Sequence, residues 1–445
     1  MIRVAPSLLA VALLGAHAHT ARALFPSPIA TRALLASTTV DALPVTNCDD
    51  HGSGSLRDAF ARALSGDVID LRDLTCNRIS LQSEIIDPTE AVDVMLVGSH
   101  NITIARESPA APARLIHHTS TSSSSQLTIQ GLTLSDGVTA DGLGGACVYS
   151  AGDLVVLSSV VSGCEVRSTQ PTLLGGALRA QHALRIYDSQ ITDSGISTTS
   201  ASSNIRGGGA AGYTMHVSGS YIGRNHLTSP NTDVTHVSIG GGLYTRQLSM
   251  IGSTVANNDA HMGGGLGLSG LAKYSRDCQV VNSTISGNTA ESAGGIYAGV
   301  LLHSIQVYNS TIAYNTAPDG AGARLNTPNV TLVSSIVSAN SGGDLSGGNS
   351  VVIAGSHNLI GVSQITLPSD TIVSSEPKLG PLSTYHSELP AHPPLTFSRA
   401  IDHGINPLSL QSDEQNNLRD QGEATDIGAV EFQDKIFKGI FEIEQ

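Results

Sequence analysis

SMIGSTVANN (Ser249–Asn258) and QVVNSTISGN (Gln279–Asn288) are two copies of one ten-residue block, 30 residues apart. Six more copies flank them: TIQGLTLSDG from Thr128, VVLSSVVSGC from Val155, RIYDSQITDS from Arg185, HVSGSYIGRN from His216, QVYNSTIAYN from Gln306 and TLVSSIVSAN from Thr331. Successive starts lie 27, 30, 31, 33, 30, 27 and 25 residues apart. Position two is always Ile, Val, Met or Leu, position seven always Leu, Val or Ile, and position five is Ser in seven of the eight copies. Between blocks sits a glycine doublet or triplet, as at Gly175-Gly176, Gly207 to Gly209, Gly240 to Gly242 and Gly263 to Gly265. Alternating apolar residues punctuated by glycine read as short strands joined by turns that tolerate positive φ.

A repeat of this length admits several solenoids. Helical ones need a sustained 3.6-residue apolar period, which Gly, Ser, Thr and Val do not supply. Propeller blades are longer, and the leucine lattice of leucine-rich repeats is missing. The reading that remains is an all-β fold, a single-stranded right-handed parallel β-helix with each repeat forming one coil. About nine to eleven coils, stacked at ~4.8 Å, give a rod ~45 to 50 Å long. One coil cannot bury its inward face alone; the stack makes the core. Asn225, Asn258, Asn288, Asn315 and Asn340 end five successive blocks, so their amides are expected to form a ladder.

Composition agrees. Glycine is 47 of 445 residues, aromatics are 4%, and tryptophan is absent, which suits tight coils rather than a bulky globular core. A net charge of −14 without a basic run excludes nucleic acid as a partner. Arg3 followed by an apolar stretch and the small-x-small site Ala21-Arg22-Ala23 reads as a signal peptide over residues 1–23. No other run reaches the length of a transmembrane helix. Export permits disulfides, and Cys48–Cys76 with Cys147–Cys164 is the simplest of three pairings; Cys278 is left over as a small buried residue.

Residues 24–45 read as a flexible leader, 46–126 as an N-terminal cap with the first coils, 127–345 as core repeats, 346–433 as C-terminal coils and cap, and 434–445 as a tail. Ser55-Leu56-Arg57-Asp58 predicts a short capping helix running to Leu64, with Leu56, Phe60 and Leu64 on one face and Gly66 stopping it.

The start, Cys48-Asp49-Asp50-His51-Gly52-Ser53-Gly54-Ser55-Leu56-Arg57-Asp58, is followed in order by Ser356-His357-Asn358-Leu359-Ile360-Gly361, Asp402-His403-Gly404, Arg419-Asp420-Gln421-Gly422 and Asp426-Ile427-Gly428-Ala429-Val430-Glu431. This order resembles exported β-helix proteins with a choice-of-anchor Q domain, which overlap the CSLREA-type proteins. The glycine doublets and terminal Asn are similar to polymorphic outer-membrane protein repeats, without the barrel that follows those. The resemblance implies a parallel β-helix outside the cell or at its surface. It implies no single activity. The tail resembles short Ile-Phe-x-x-Gly-Phe-Glu termini of exported proteins.

Chemistry on such a fold sits on outward side chains of neighbouring coils. The acid set of polygalacturonase-like enzymes is absent, and Asp49-Asp50 and Asp402-His403-Gly404 read as structural motifs. Register places Asp193, Arg224 and Asn257 together at position nine, with His226, Asp259 and His261 just beyond. Carboxylate, imidazole and guanidinium on adjacent coils can bind an acidic sugar and move a proton, so Asp193, Arg224, His226, Asp259 and His261 are the candidate catalytic residues. Tyr213, Tyr244, Arg246 and Tyr297 are the candidate substrate-binding residues. No zinc spacing occurs, and the sequence points to no definite cofactor; Ca²⁺ is the ion an enzyme reading would call for. The expected function is a secreted or cell-surface, adhesin-like protein that binds a polysaccharide or cell-surface glycan as a monomer. The alternative is an extracellular polysaccharide lyase or glycoside hydrolase acting on the side wall.

Overall fold

The computed structural model describes residues 42–433 except 89–90, 108–110, 123, 231–237, 270–276, 349, 386 and 421. The expected signal peptide and tail lie outside the described residues. Everything below concerns the unit Asp41–Gln445.

One coil gives the plan. The chain runs through Asp153–Leu157, Val160–Ser162, Glu165–Arg167, Thr172–Leu174 and Leu178–Ala180 before entering Ala183–Tyr187. Ala183–Tyr187 then pairs in parallel with Asp153–Leu157, Leu184 beside Leu154. Repetition builds, among the described residues, a first and a second sheet of 12 strands each, a third of 10 and a side sheet of 9. The first holds strands like Asp153–Leu157, the second those like Val160–Ser162, and the third those like Leu178–Ala180. Inward side chains such as Leu154, Val156, Val161, Val166, Leu173 and Leu178 make one continuous apolar core. The expected parallel β-helix is therefore the fold, with five strands in the coil that starts at Asp153.

The block explains itself in the turns. Position four takes φ between +43° and +65°, and position nine between +54° and +67°, in all eight copies. Gly, Asn and Asp recur there because they tolerate the left-handed region, whereas Arg224 and Tyr314 occupy it at a cost. After each such turn stands a buried polar ladder. Asn258 Nδ2 donates to Asn288 Oδ1 at 2.9 Å and to Ile222 O at 3.0 Å, Asn225, Asn288 and Asn315 repeat the pattern, and Asn340 ends the ladder by donating to Asp344 Oδ1 at 2.7 Å. A second ladder, not foreseen, uses position five: the amide N–H of Ser189 donates to Ser220 Oγ, Ser220 to Ser253 and Ser253 to Ser283, each within 3.2 Å.

A flange accounts for three of the longer intervals. In three coils the chain leaves the second sheet, runs out and returns, giving the paired segments Glu165–Arg167 with Thr172–Leu174, Gly195–Ser197 with Asn204–Arg206, and His226–Thr228 with Ser238–Ile239. These are the coils of 30, 31 and 33 residues. The two legs merge in Asp259–Met262, which pairs with both His226 and Ile239. Glycines mark the bend from flange to third sheet because the coils touch there: a Cβ on Gly176 would lie 2.0 Å from Gly208 O.

The N-terminal helix is Leu56–Arg62, with Ser55 Oγ accepting from the amide of Asp58. Leu56 and Phe60 are buried, but the helix stops two residues before Leu64, which is 66% exposed instead of sharing their face. Cys48–Cys76 and Cys147–Cys164 are bonded, and Cys278 is free and buried.

From Ser374 the chain follows no coil. It packs as a strap over the outer face of the second sheet: Leu379, Ala400 and Ile427 join Ala313, Ile336 and Leu359. Buried Arg419 holds Glu431 at 2.8 Å and reaches Asn282 Oδ1 at 2.7 Å. The late motifs that resemble the choice-of-anchor pattern are thus the strap's fastenings. Asn282 and Asn309, each at position four of its block, are buried and donate to Ser412 O and Ile405 O of the strap.

Glu414 is wholly buried and faces Thr254, Thr284 and, on its own segment, Asp413. The Thr254 hydroxyl has one hydrogen, which Pro390 O takes at 2.8 Å, so the 3.0 Å contact to Glu414 Oε1 needs a proton from Glu414. Burial, far more than any neighbour, pushes this carboxyl up to about 8.

Two outcomes follow. Asn288→Ala should lower the unfolding free energy by roughly 2–4 kcal/mol in chemical denaturation, because it orphans its partners above and below. The exposed neighbour Asn257→Gly should change it by less than about 0.5 kcal/mol. Because the folded-state pKa of Glu414 lies above its ordinary 4.5, its contribution is full below that value and lost as pH rises through about 8. Hydrogen exchange of the strap between pH about 5 and about 9 should show this slope, and Glu414→Gln should reduce it, with the similarly raised Glu431 supplying the remainder.

Candidate functional site

The candidate catalytic residues fall where register placed them. Asp193 and Arg224 form a bidentate pair, Nε to Oδ1 and Nη2 to Oδ2, both 2.7 Å, with both side chains about half exposed. The Arg224 guanidinium also lies 6.0 Å from the centre of the Tyr221 ring. The pair holds the Asp193 carboxyl below its usual range, chiefly through the hydrogen bond from Arg224.

Beyond them, the first flange leg presents two outward columns. One runs Glu165, Gly195, His226, Asp259 and Thr289. Gly195 leaves room for the imidazole, since a Cβ there would meet the ring at 2.6 Å. His226 thus reaches across it to Glu165, 3.3 Å from Nε2, and this contact raises the His226 pKa against the opposing effect of burial. Loss of surrounding water raises Asp259, opposed by His226. His261 stands 3.0 Å from Glu291. The sequence reading missed Glu165 and Glu291. Both fall outside the ten-residue block, and only the rule that residues one coil apart are neighbours would have found them.

The wall therefore assembles as expected but is self-neutralised. Asp193 is spent on Arg224, and both imidazoles face carboxylates. Among the described residues no group of three or more His, Cys, Asp or Glu side chains is placed to hold a metal ion, so no step is assigned to Ca²⁺. Arg185, beside His216 in the first sheet, is paired with Asp153 at 2.9 Å.

The candidate binding residues lie elsewhere, Tyr244 and Tyr297 on the outer face of the third sheet and Tyr213 and Arg246 in the turns from that sheet to the first. The third sheet's single outward column runs Tyr149, Arg179, Ala211, Tyr244, Gly267, Tyr297 and Arg324. Across the glycine bend stands the second flange leg, with Leu174, Arg206 and Ile239, continued by Met262. The two faces meet in an apolar cluster of Leu174, Ala211, Ile239, Tyr244, Met262 and Tyr297, the floor of the angle between flange and third sheet. Tyr244 is buried there, so it supports this floor instead of offering a stacking platform. Its hydroxyl accepts from Arg206 Nη1 at 3.0 Å, and the Arg206 guanidinium lies 5.1 Å from the ring centre. In the adjoining turns, Arg246 stacks on Tyr213 at 5.1 Å. Tyrosine here holds arginine in place.

No family model and no curated protein matches the chain. Among solved structures it is similar to a crystal structure of pectate lyase Pel9A, at 12% identity and TM-score 0.47, over 89% of this chain and 98% of that one. A likeness at this level assigns no activity. No described helix is long and apolar enough to cross a membrane.

Proton NMR of His226 should give a pKa above 6.5, and Glu165→Gln should bring it down, because Glu165 is the main cause of the shift. An unmoved titration would mean that the two side chains do not pair in solution.

Proposed function

We propose that this protein is a binding solenoid, exported and acting outside the cell, which holds a polysaccharide or cell-surface glycan at the angle between flange and third sheet. One observation carries the reading. The candidate acids and bases other than Asp259 are consumed by ion pairs, whereas Tyr244 and Tyr297 pack where the flange meets the third sheet and Arg246 stacks on Tyr213 in the adjoining turns. A general base bound to a guanidinium is a weak proton acceptor at neutral pH. A binding surface needs no free base. Two disulfides accord with an oxidising compartment.

The second reading, a lyase or hydrolase, draws on Asp259. Its carboxyl is raised and lies beside His226 in register, an arrangement that suits proton transfer.

A panel of acidic and neutral polysaccharides, with and without Ca²⁺, separates the two. The binding reading expects retention of a glycan, weakened at least tenfold by Arg246→Ala or Tyr213→Ala and unaffected by Asp193→Ala or His226→Ala. It expects no unsaturated products and no new reducing ends. Turnover lost in His226→Ala or Asp259→Asn would replace it with the enzyme reading.

A further inference from the structure

Most arginines described in this acidic chain sit on carboxylates, among them Arg114, Arg185, Arg224 and Arg419. Three near the angle between flange and third sheet do not. Arg179 reaches only the side-chain oxygen of Gln181, at 3.3 Å. Arg206 donates to the Tyr244 hydroxyl and leaves its Nε buried without a partner. Arg246 rests on the Tyr213 ring. They occupy three successive coils, a span of roughly 10 Å along the axis.

We propose that these three guanidiniums form an anion cradle for the acidic substituents, carboxylate or sulfate, of an extracellular polysaccharide. The inference rests on the binding reading above and names its ligand class. Desolvated like charges repel each other and lack the hydration that would offset the cost. Burial, with Arg246 adding its repulsion, pulls Arg179 down to about 10, as expected for a cation without a counterion. Among the described residues no carboxylate is paired with these three, although carboxylates hold the other buried arginines, Arg114 and Arg419. An oxyanion from outside would take the fork of Arg179 and screen Arg206 and Arg246. The tyrosines fix the forks beforehand, so little side-chain freedom is lost on binding. Arg324, farther along the same face, is already paired with Asp319 at 3.3 Å and serves as the internal control.

The test uses the purified full chain with polygalacturonate, a sulfated glucan and neutral dextran. Affinities are measured at salt from about 50 to about 500 mM. One or both anionic polymers should bind, with affinity falling as salt rises, and dextran should bind at least tenfold more weakly. Binding of only the first or only the second polymer identifies carboxylate or sulfate as the group. Arg179→Gln and Arg246→Gln should each cost about tenfold, and Arg324→Gln little. Arg246 stands in the turn towards the first sheet and its replacement leaves the core untouched, so the test survives if Arg179→Gln fails to fold. Equal, salt-independent binding of dextran overturns the anion cradle and leaves the glycan reading standing. No binding to any glycan overturns both. Anionic binding unchanged in the Arg246 and Arg179 variants places the site elsewhere, and tighter binding of a single-stranded oligonucleotide overturns the polysaccharide assignment.

Discussion

Parallel stacking in register puts every residue directly over its own counterpart one coil away. This constraint governs which polar groups the interior can keep. A side chain at an inner corner meets a copy of itself, so it must both donate and accept. Asn and Ser satisfy that demand; a carboxylate or an ammonium would face its own charge at strand spacing. The buried corners accordingly carry an Asn ladder after one turn and a Ser ladder after the other. Each ladder ties the turn it follows, and those turns hold the strands in register.

Outside, the same rule produces a different result. Columns of outward residues are wet, and register brings opposite charges together as readily as it separates like ones. Asp193 and Arg224, Glu165 and His226, and His261 and Glu291 all meet across coils. The wall that looked most chemical is therefore the one most occupied with itself. The third sheet has one outward residue per strand, and the arginines beside it, Arg206 on the flange and Arg246 in the turn towards the first sheet, met aromatic rings instead of carboxylates.

Register also decided what could be read in advance. The coils, the Asn ladder and the contact of Asp193 with Arg224 all follow from a period, because in a solenoid a shared period is spatial adjacency. The two disulfides likewise followed from nearness in sequence. Glu165 and Glu291 were missed because the block was aligned over ten residues and they stand just past it. The strap was out of reach for another reason. Its fastenings, Glu414 on Thr284 and Arg419 on Asn282, join residues 130 and 137 apart with no repeat between them. Leu64 was misplaced because helix periodicity was carried past the true end of the helix at Arg62. The angle between flange and third sheet, finally, exists only where the flange rises, and the flange appeared in the sequence merely as uneven spacing.

That unevenness has a bearing on how such a chain changes over generations. Three sides of each coil are locked by ladders, glycine contacts and the strap, and an inserted residue there would throw the following coils out of step. The flange tip is tied to none of these. Loops of different length already lie next to one another there, between Arg167 and Thr172 and between Ser197 and Asn204. Insertions and deletions in this lineage should therefore collect at that edge. A new ligand preference can arise by lengthening one margin while the rod beneath it is inherited unaltered.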